Sequence, residues 1–130
     1  MTEKQTNALI KYRIERAEET YNEALLMLSE EHLNACANRL YYACFYAVSA
    51  LLAKYGLSSS KHSGIKSLFN QHIIKKKLLK TDRGKLYNQL FEARQEGDYV
   101  DFVIYDRDFV EPWVPMVKEF LDEIKKLLEM

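Results

Sequence analysis

Arginine and tyrosine side chains occur together at the head of the most apolar stretch of the chain, N-R-L-Y-Y-A-C-F-Y-A-V-S-A-L-L at residues 38–52. Arg39 lies three residues before Tyr42 and seven before Tyr46, so the three side chains share one edge of a helix. A guanidinium offers planar, bidentate donors to a phosphate, and a phenol adds a donor or a stacking face for a base. This edge therefore has the chemistry of a phosphate-binding surface.

Two more polar groups have unusual positions in apolar surroundings. Arg94 lies four residues before Asp98, with Tyr99 next in the chain, and the pair Lys61-His62 stands where a later helix would begin. If the helices that carry the two arginines pack together, both guanidiniums face one cleft. The predicted ligand-binding residues are Arg39, Tyr42, Tyr46, Lys61, His62, Arg94, Asp98 and Tyr99, with Arg39 and His62 as the catalytic candidates.

A purely structural role remains open for both catalytic candidates. Arg39 beside tyrosines is also what an arginine paired with a carboxylate, such as Asp98 or Glu96, would look like. Such a pair fixes the packing of the central helices. His62 is equally consistent with a histidine that caps or packs against a helix.

Other familiar catalytic signatures are missing from the sequence. There is no glycine-rich phosphate loop, no nucleophile elbow and no Cys/His cluster at metal spacing. The histidines are scattered, and Cys36 and Cys44 fit the interior of a helical core as small thiols. We therefore expect neither a metal nor a cofactor.

Composition indicates one domain over residues 1–130, with 48% hydrophobic residues and a formal net charge of zero. The charge is uneven, because residues 54–85 hold nine Lys/Arg and one acid, Asp82. Such a region suits phosphates or an acidic partner, although a solvated lysine-rich loop has the same composition. No segment reaches the roughly 18 apolar residues of a membrane span, and the polar N-terminus lacks an apolar signal core. A cytoplasmic location follows as the expectation.

Apolar residues recur every three or four positions, which predicts an all-α, antiparallel up-and-down bundle of about five helices, four main ones and a shorter one. The first four helices are expected at about 4–29, 32–55, 61–74 (the short one) and 83–101. Asp106 and Asp108 are candidate caps for the fifth helix, Asp108 with Glu111 as in a capping box. Pro112 and Pro115 must then fall in its first turn.

Two residues near the end of the fourth predicted helix carry specific expectations. Val100 should point inward with the apolar face of that helix. Gly97 weakens the helix by roughly 1 kcal/mol relative to alanine, and such a glycine often permits the close approach of another group. Gly56 is expected to end the second helix.

Three stretches, N-R-L-Y-Y-A-C-F-Y-A, S-K-H-S-G-I-K-S-L-F and L-F-E-A-R-Q-E-G-D-Y, resemble the HEPN domain family. The resemblance is to its small prokaryotic members that are encoded beside minimal nucleotidyltransferases, and it extends from about residue 8 to about residue 128. It implies a helical bundle, a homodimer, a nucleotidyltransferase partner and a role in a toxin–antitoxin-like or nucleotide-binding system.

Many HEPN proteins are metal-independent ribonucleases with an arginine and a histidine separated by four to six residues on one helix. This sequence departs from that motif at the histidine. The corresponding positions are Cys44, Phe45 and Tyr46 after Arg39, and Tyr99, Val100 and Asp101 after Arg94. The resemblance therefore favours a module that binds a nucleotide or RNA phosphate and a protein partner.

Two alternatives to the binding module stay open. One is a ribonuclease with an altered acid/base, using Arg39, His62 and Arg94. The other is a helical scaffold whose basic region binds an acidic protein.

Overall fold

The computed structural model describes residues 1–129, and every regular element in them is helical. In chain order the helices are α1 Glu3–Ser29, α2 Leu33–Lys54, α3 His62–Phe69, α4 Thr81–Tyr99, α5 Arg107–Val110 and α6 Trp113–Leu128. A π-helical segment, Asn70–Ile74, continues α3. The predicted all-α bundle of four long helices and a shorter one is confirmed, with α5 as an additional single turn. Within this range, no helix has both the length and the apolar character that crossing a membrane requires.

Helix α2 is the centre of the bundle and packs against α1, α4 and α6. Most of its circumference is apolar, so it loses water contact on nearly every side. Its residues Leu40, Tyr41, Leu51 and Leu52 are completely buried. Each fully buried side chain of this size contributes about 1.5–3 kcal/mol relative to an exposed one, so the core is built around the stretch that begins at Asn38.

Three helical segments end at a residue in the left-handed conformation: Glu31 (φ 61°), Gly56 (φ 72°) and Lys77 (φ 61°). At each end, the next residue donates its amide to the carbonyl five positions earlier, as in the amide of Leu57 to Leu52 (2.9 Å). This is the Schellman arrangement, in which glycine is the least strained residue. The prediction that Gly56 ends the second helix is confirmed.

Helix α4 begins at Thr81 and ends at Tyr99, two residues earlier at each end than predicted. Val100 has an extended backbone and is exposed, so the prediction that it points inward is wrong. The close approach at Gly97 is confirmed, because a Cβ there would lie 3.1 Å from the Tyr105 ring. Tyr105 also donates its hydroxyl proton to the carbonyl of Ala93 (2.7 Å), which holds the loop after α4 against the helix.

The segment before α6 differs in detail from the predicted fifth helix. Asp106 caps α5, whereas Asp108 caps nothing, and the proposed box with Glu111 is absent because α5 stops after one turn. Glu111 instead forms an ion pair within that turn. Pro112 is the N-cap of α6 and Pro115 lies in its first turn, as their missing amide protons require.

Candidate phosphate-binding site

The ring of Tyr42 is the meeting point of three predicted site residues from three different helices. The guanidinium carbon of Arg39 lies 5.2 Å from the ring centroid, and that of Arg94 lies 5.4 Å from it. The ring of His62 meets the same phenol edge to face, with centroids 5.7 Å apart. Packing of α2 against α3 and α4 thus gathers two cations and an imidazole around one aromatic residue.

Arg94 is almost completely buried, with 8% of its surface exposed. Its Nη2 group donates to the hydroxyls of Tyr42 (3.0 Å) and Tyr99 (3.2 Å). Its Nε atom lies 3.5 Å from the Asp98 carboxylate and makes no hydrogen bond within residues 1–129. Since a guanidinium has five N–H donors, the neighbours of Arg94 leave it with unused capacity for an acceptor.

Arg39 is partly exposed and paired with an acid from α1. Its Nη1 group donates to Glu23 (3.2 Å), while Nε and Nη2 both donate to the side-chain oxygen of Asn38 (3.0 and 2.8 Å). The amide of Asn38 donates in turn to Asp98 (2.8 Å). The hypothesis of a purely structural role predicted that Asp98 or Glu96 pairs directly with Arg39. The partner is Glu23, and Asp98 reaches Arg39 only through Asn38.

An open groove lies beside this network, between α1, α2 and the end of α4, and we call it the α1–α2 groove. Its volume is about 620 Å³, and its lining residues are Glu23, Leu26, Met27, Asn34, Ala35, Asn38, Arg39 and Asp98. Glu23 and Asp98, which both line the groove, are the carboxylates paired with Arg39 and with the buried Arg94. A phosphate that enters must therefore take the place of a carboxylate rather than bind to free cations.

His62 is the first residue of α3 and is packed among aromatic rings. Its Nδ1 atom shares a hydrogen bond of 2.8 Å with the Tyr41 hydroxyl, and its ring stacks on Phe45 with centroids 4.5 Å apart. Burial, and secondly the charge of Arg94, lowers the pKa of His62. Burial raises the pKa of Tyr41 to about 12. Both groups are therefore neutral near pH 7, and His62 has the protonation state of a base.

The remaining predicted residues lie at the edge of this cluster or outside it. Tyr99 is 71% exposed and covers Arg94 from the solvent side. Tyr46 is adjacent to Tyr42, with centroids 6.2 Å apart, and lies under the guanidinium of Arg16. Lys61 is exposed just before α3, and in the described part of the chain its ammonium contacts none of the other site residues.

Several members of the cluster were not among the predicted site residues. Asn38 is adjacent to Arg39 and Tyr41 is adjacent to Tyr42, so the sequence of residues 38–52 could have indicated both. Phe45 lies in the same stretch of α2 and is one of the motif positions after Arg39. Glu23 is not indicated by the sequence, because only the packing of α1 on α2 brings it to Arg39. Over residues 1–129, no three His, Cys, Asp or Glu side chains converge as a metal site would require.

Comparison with known proteins identifies the family. The family model described as the HEPN domain matches residues 10–127. The chain belongs to the HEPN domain family. The resemblance seen in the three sequence stretches is thereby confirmed.

Three relatives of this HEPN domain cover different shares of its length. A "UPF0332 protein" of Thermotoga maritima is 44% identical over 93% of this chain and 92% of its own. A protein of Methanocaldococcus jannaschii named "Putative toxin MJ0142" is 29% identical over 88% of this chain and 78% of its own. A "UPF0332 protein" of Gloeobacter violaceus, glr0978, is 36% identical over 66% of this chain and 68% of its own.

An imidazole from another helix lies beside one position of the arginine–histidine motif that the resemblance implies. Phe45 occupies one of the three positions where the motif would place histidine after Arg39. The imidazole of His62 stacks directly on that phenylalanine. The fold therefore brings an imidazole beside the motif position without a histidine in the motif itself.

Proposed function

We propose that this HEPN domain binds the phosphate of a nucleotide or RNA between Arg39 and Arg94, as an interaction module of a toxin–antitoxin-like nucleotidyltransferase system in the cytoplasm. The observation that carries the proposal is that two guanidiniums, those of Arg39 and Arg94, lie within 5.2 and 5.4 Å of the Tyr42 ring centroid, next to the α1–α2 groove. The name of the Methanocaldococcus relative, which contains the word toxin, supports the biological setting.

Binding proceeds by exchange of anions. The phosphate replaces Asp98 at the Asn38 amide and at Arg94, whose Nε lacks a hydrogen bond among the described residues. Tyr99, which is mostly exposed, moves aside to open the path to Arg94. Arg39 supplies the second guanidinium, and the face of Tyr42 or Tyr46 is available for a base.

Calorimetric titration with AMP, ATP and a short single-stranded RNA tests this exchange. Arg39→Ala and Arg94→Ala should each weaken binding by about tenfold or more, since each removes a charge-assisted contact of about 1.5–3 kcal/mol. Asp98→Asn should strengthen binding, because it removes the competing carboxylate. Arg83→Ala is the matched control, since Arg83 is also ion-paired but lies near the opposite end of α4. Absence of binding by the wild type, or weaker binding by Asp98→Asn, contradicts the exchange.

We also propose that the chain forms the homodimer that the resemblance implies, and the surface next to Tyr99 supports this. Phe102 is 99% exposed and Ile104 is 87% exposed, with Val100 and Tyr99 also open to solvent. We call this segment the apolar loop 99–104. Clustered large apolar side chains on a surface mark an interaction site. A second copy that covers this loop would also cover the mouth of the site at Tyr99.

Light scattering after size exclusion measures the dimer. The wild type should elute as a dimer at micromolar concentration, and Phe102→Ser should shift it to a monomer without loss of helical content. Tyr12→Ser is the control, because Tyr12 is exposed on α1 away from the apolar loop 99–104. The nucleotidyltransferase partner, inferred from the resemblance, is tested by copurification with a nucleotidyltransferase encoded beside this chain.

A metal-independent ribonuclease is the second candidate, favoured by the stack of His62 on Phe45. A neutral imidazole would take the 2′-hydroxyl proton as the 2′-oxygen bonds to phosphorus, while the guanidiniums stabilise the charge on the phosphate. The bond from phosphorus to the 5′-oxygen then breaks, and the imidazolium returns its proton to that oxygen, giving a 2′,3′-cyclic phosphate and a free 5′-hydroxyl. Total RNA incubated with the protein and EDTA should then be fragmented, and His62→Ala or Arg39→Ala should prevent it. Intact RNA after long incubation rejects this candidate.

A further inference from the structure

A second cavity lies at the other end of the molecule, near the N-terminus of α4. It is an open cavity of about 620 Å³, lined by the turn at residues 77–81 and by Glu123, Lys126 and Leu127 of α6. We call it the lysine-rimmed pocket. Thr81 at its edge is about 20 Å from Arg94 along the axis of α4, so this pocket is separate from the candidate phosphate-binding site.

The rim of the pocket carries positive charge that the described structure does not neutralise. Lys77, Lys80 and Lys126 have no ion pair within residues 1–129, whereas the single acid, Glu123, is paired with Arg83. Two of these three lysines, Lys77 and Lys80, belong to the lysine-rich region at residues 54–85. The third comes from α6, so the excess charge is a product of the fold and not only of the local sequence.

The floor of the pocket is apolar. Leu78 is 39% exposed, Leu79 is nearly buried and Leu127 is partly buried. No aromatic ring lines the pocket within the described chain, so it offers no stacking surface to a nucleic-acid base. A concave aliphatic floor with a cationic rim complements a short segment that has one apolar side chain between carboxylates.

Lys77 occupies its place on the rim in a strained conformation. Its φ of 61° is one that glycine adopts without penalty, yet a lysine stands there. The side chain is exposed and, within residues 1–129, has no ion pair that would account for it. What lysine provides at this position, and glycine would not, is a positive charge.

We propose that the lysine-rimmed pocket is a docking site for an acidic segment of a partner protein, with an aliphatic side chain on Leu78 and carboxylates on Lys77, Lys80 and Lys126. The site works independently of phosphate binding between Arg39 and Arg94. It gives the HEPN domain a second face for recognition of a protein.

Fluorescence anisotropy with the labelled peptide Ser-Asp-Asp-Leu-Asp-Glu-Ser tests the site. Wild-type protein should bind it with an affinity that falls as salt rises. The double variant Lys77→Glu/Lys126→Glu should weaken binding by about tenfold. The control variant Lys75→Glu/Lys76→Glu has the same change in charge in the same turn but lies outside the pocket lining, and it should lose only about twofold. Glutamate is suitable at position 77, because Glu31 already adopts the same conformation.

Two further probes separate the pocket from diffuse attraction between charges. The peptide with serine in place of leucine should bind more weakly, as should Leu78→Ser protein with the original peptide. In the wild type, the peptide should shift the amide NMR signals of residues 77–81, a measurement that does not depend on any variant folding. Equal losses in the two double variants, or no shift at residues 77–81, overturn the proposal. It is also overturned if a single-stranded RNA of equal charge binds the pocket and the peptide does not.

Discussion

Replacement of Lys77 by glycine should stabilise the protein. Lys77 ends the π-helical segment with φ 61°, and its amide donates to the carbonyl of Ile74 (2.9 Å), while that of Leu78 donates to Ile73 (3.0 Å). Glycine can make the same two backbone hydrogen bonds. It has no Cβ to clash with the neighbouring carbonyl in the left-handed conformation.

The size of the gain follows from two opposing terms. A residue with a Cβ is about 1–2 kcal/mol less stable in this conformation than in the right-handed one. Glycine loses about 0.5–1 kcal/mol more conformational entropy when it folds. No ion pair of Lys77 is lost in the described structure, so the net effect should be a gain of about 0.5–1 kcal/mol.

Gly56→Ala is the matched opposite change. Gly56 ends α2 with φ 72°, and an added Cβ would meet no atom within 4 Å. The loss should therefore come from the backbone alone and be of similar size, about 0.5–1 kcal/mol. Glu31→Gly should gain less than Lys77→Gly, because it also removes the ion pair of Glu31 with Arg107 (2.6 Å).

Urea unfolding followed by circular dichroism measures all three variants. The midpoint should rise for Lys77→Gly and fall for Gly56→Ala with unchanged slopes, and melting temperatures should move by about 2–5 °C. A loss of stability in Lys77→Gly, or no change in either variant, refutes the argument from backbone strain. Lys77→Gly should also bind the acidic peptide more weakly. Lysine at position 77 would then lower the stability of the protein while raising its affinity for the peptide.

Three more predictions concern the packing around both sites. Asn34→Ala should destabilise the protein by about 1–3 kcal/mol in urea unfolding, since its side chain bonds two backbone groups of the loop before α5, including the Tyr105 amide (2.8 Å). Gly84→Ala should lower the melting temperature, because its Cβ would lie 3.2 Å from Ile74 and overpack α4 against the π-helical segment by about 1–3 kcal/mol. Stability should fall as pH drops below about 6.5, since the lowered pKa of His62 makes the unfolded state take up its proton first. His62→Asn should flatten this dependence between about pH 7 and pH 5; an unchanged pH profile in that variant would show that another group is responsible.

The spacing of apolar residues every three or four positions located the long helices, because each of them buries an apolar face in the core. Helix α2, which is apolar nearly all round, had to be central. The errors lie at the ends of elements, as at Val100 and Asp108. After Val100 the loop is held by Asn34 of α2, which is distant in sequence and whose contacts no local pattern contains.

The arginine-tyrosine pattern was visible in the sequence because Arg39 and Tyr42 lie one turn apart on the same helix. The partner of Arg39 was not visible, because Glu23 reaches it from α1. The lysine-rimmed pocket was visible only as a run of charge, since the sequence could not show that Lys126 joins Lys77 and Lys80 over an apolar floor.

The sequence by itself determined the helical class, the central helix and the residue types available for binding an anion, since these follow from spacing along single helices. Only the tertiary structure decided which charges meet. It brought the guanidiniums of Arg39 and Arg94 to the ring of Tyr42 and the imidazole of His62 to Phe45. The physical reason is that electrostatic and hydrogen-bond contacts act over a few ångströms in space, and chain separation says little about that distance once helices pack across one another.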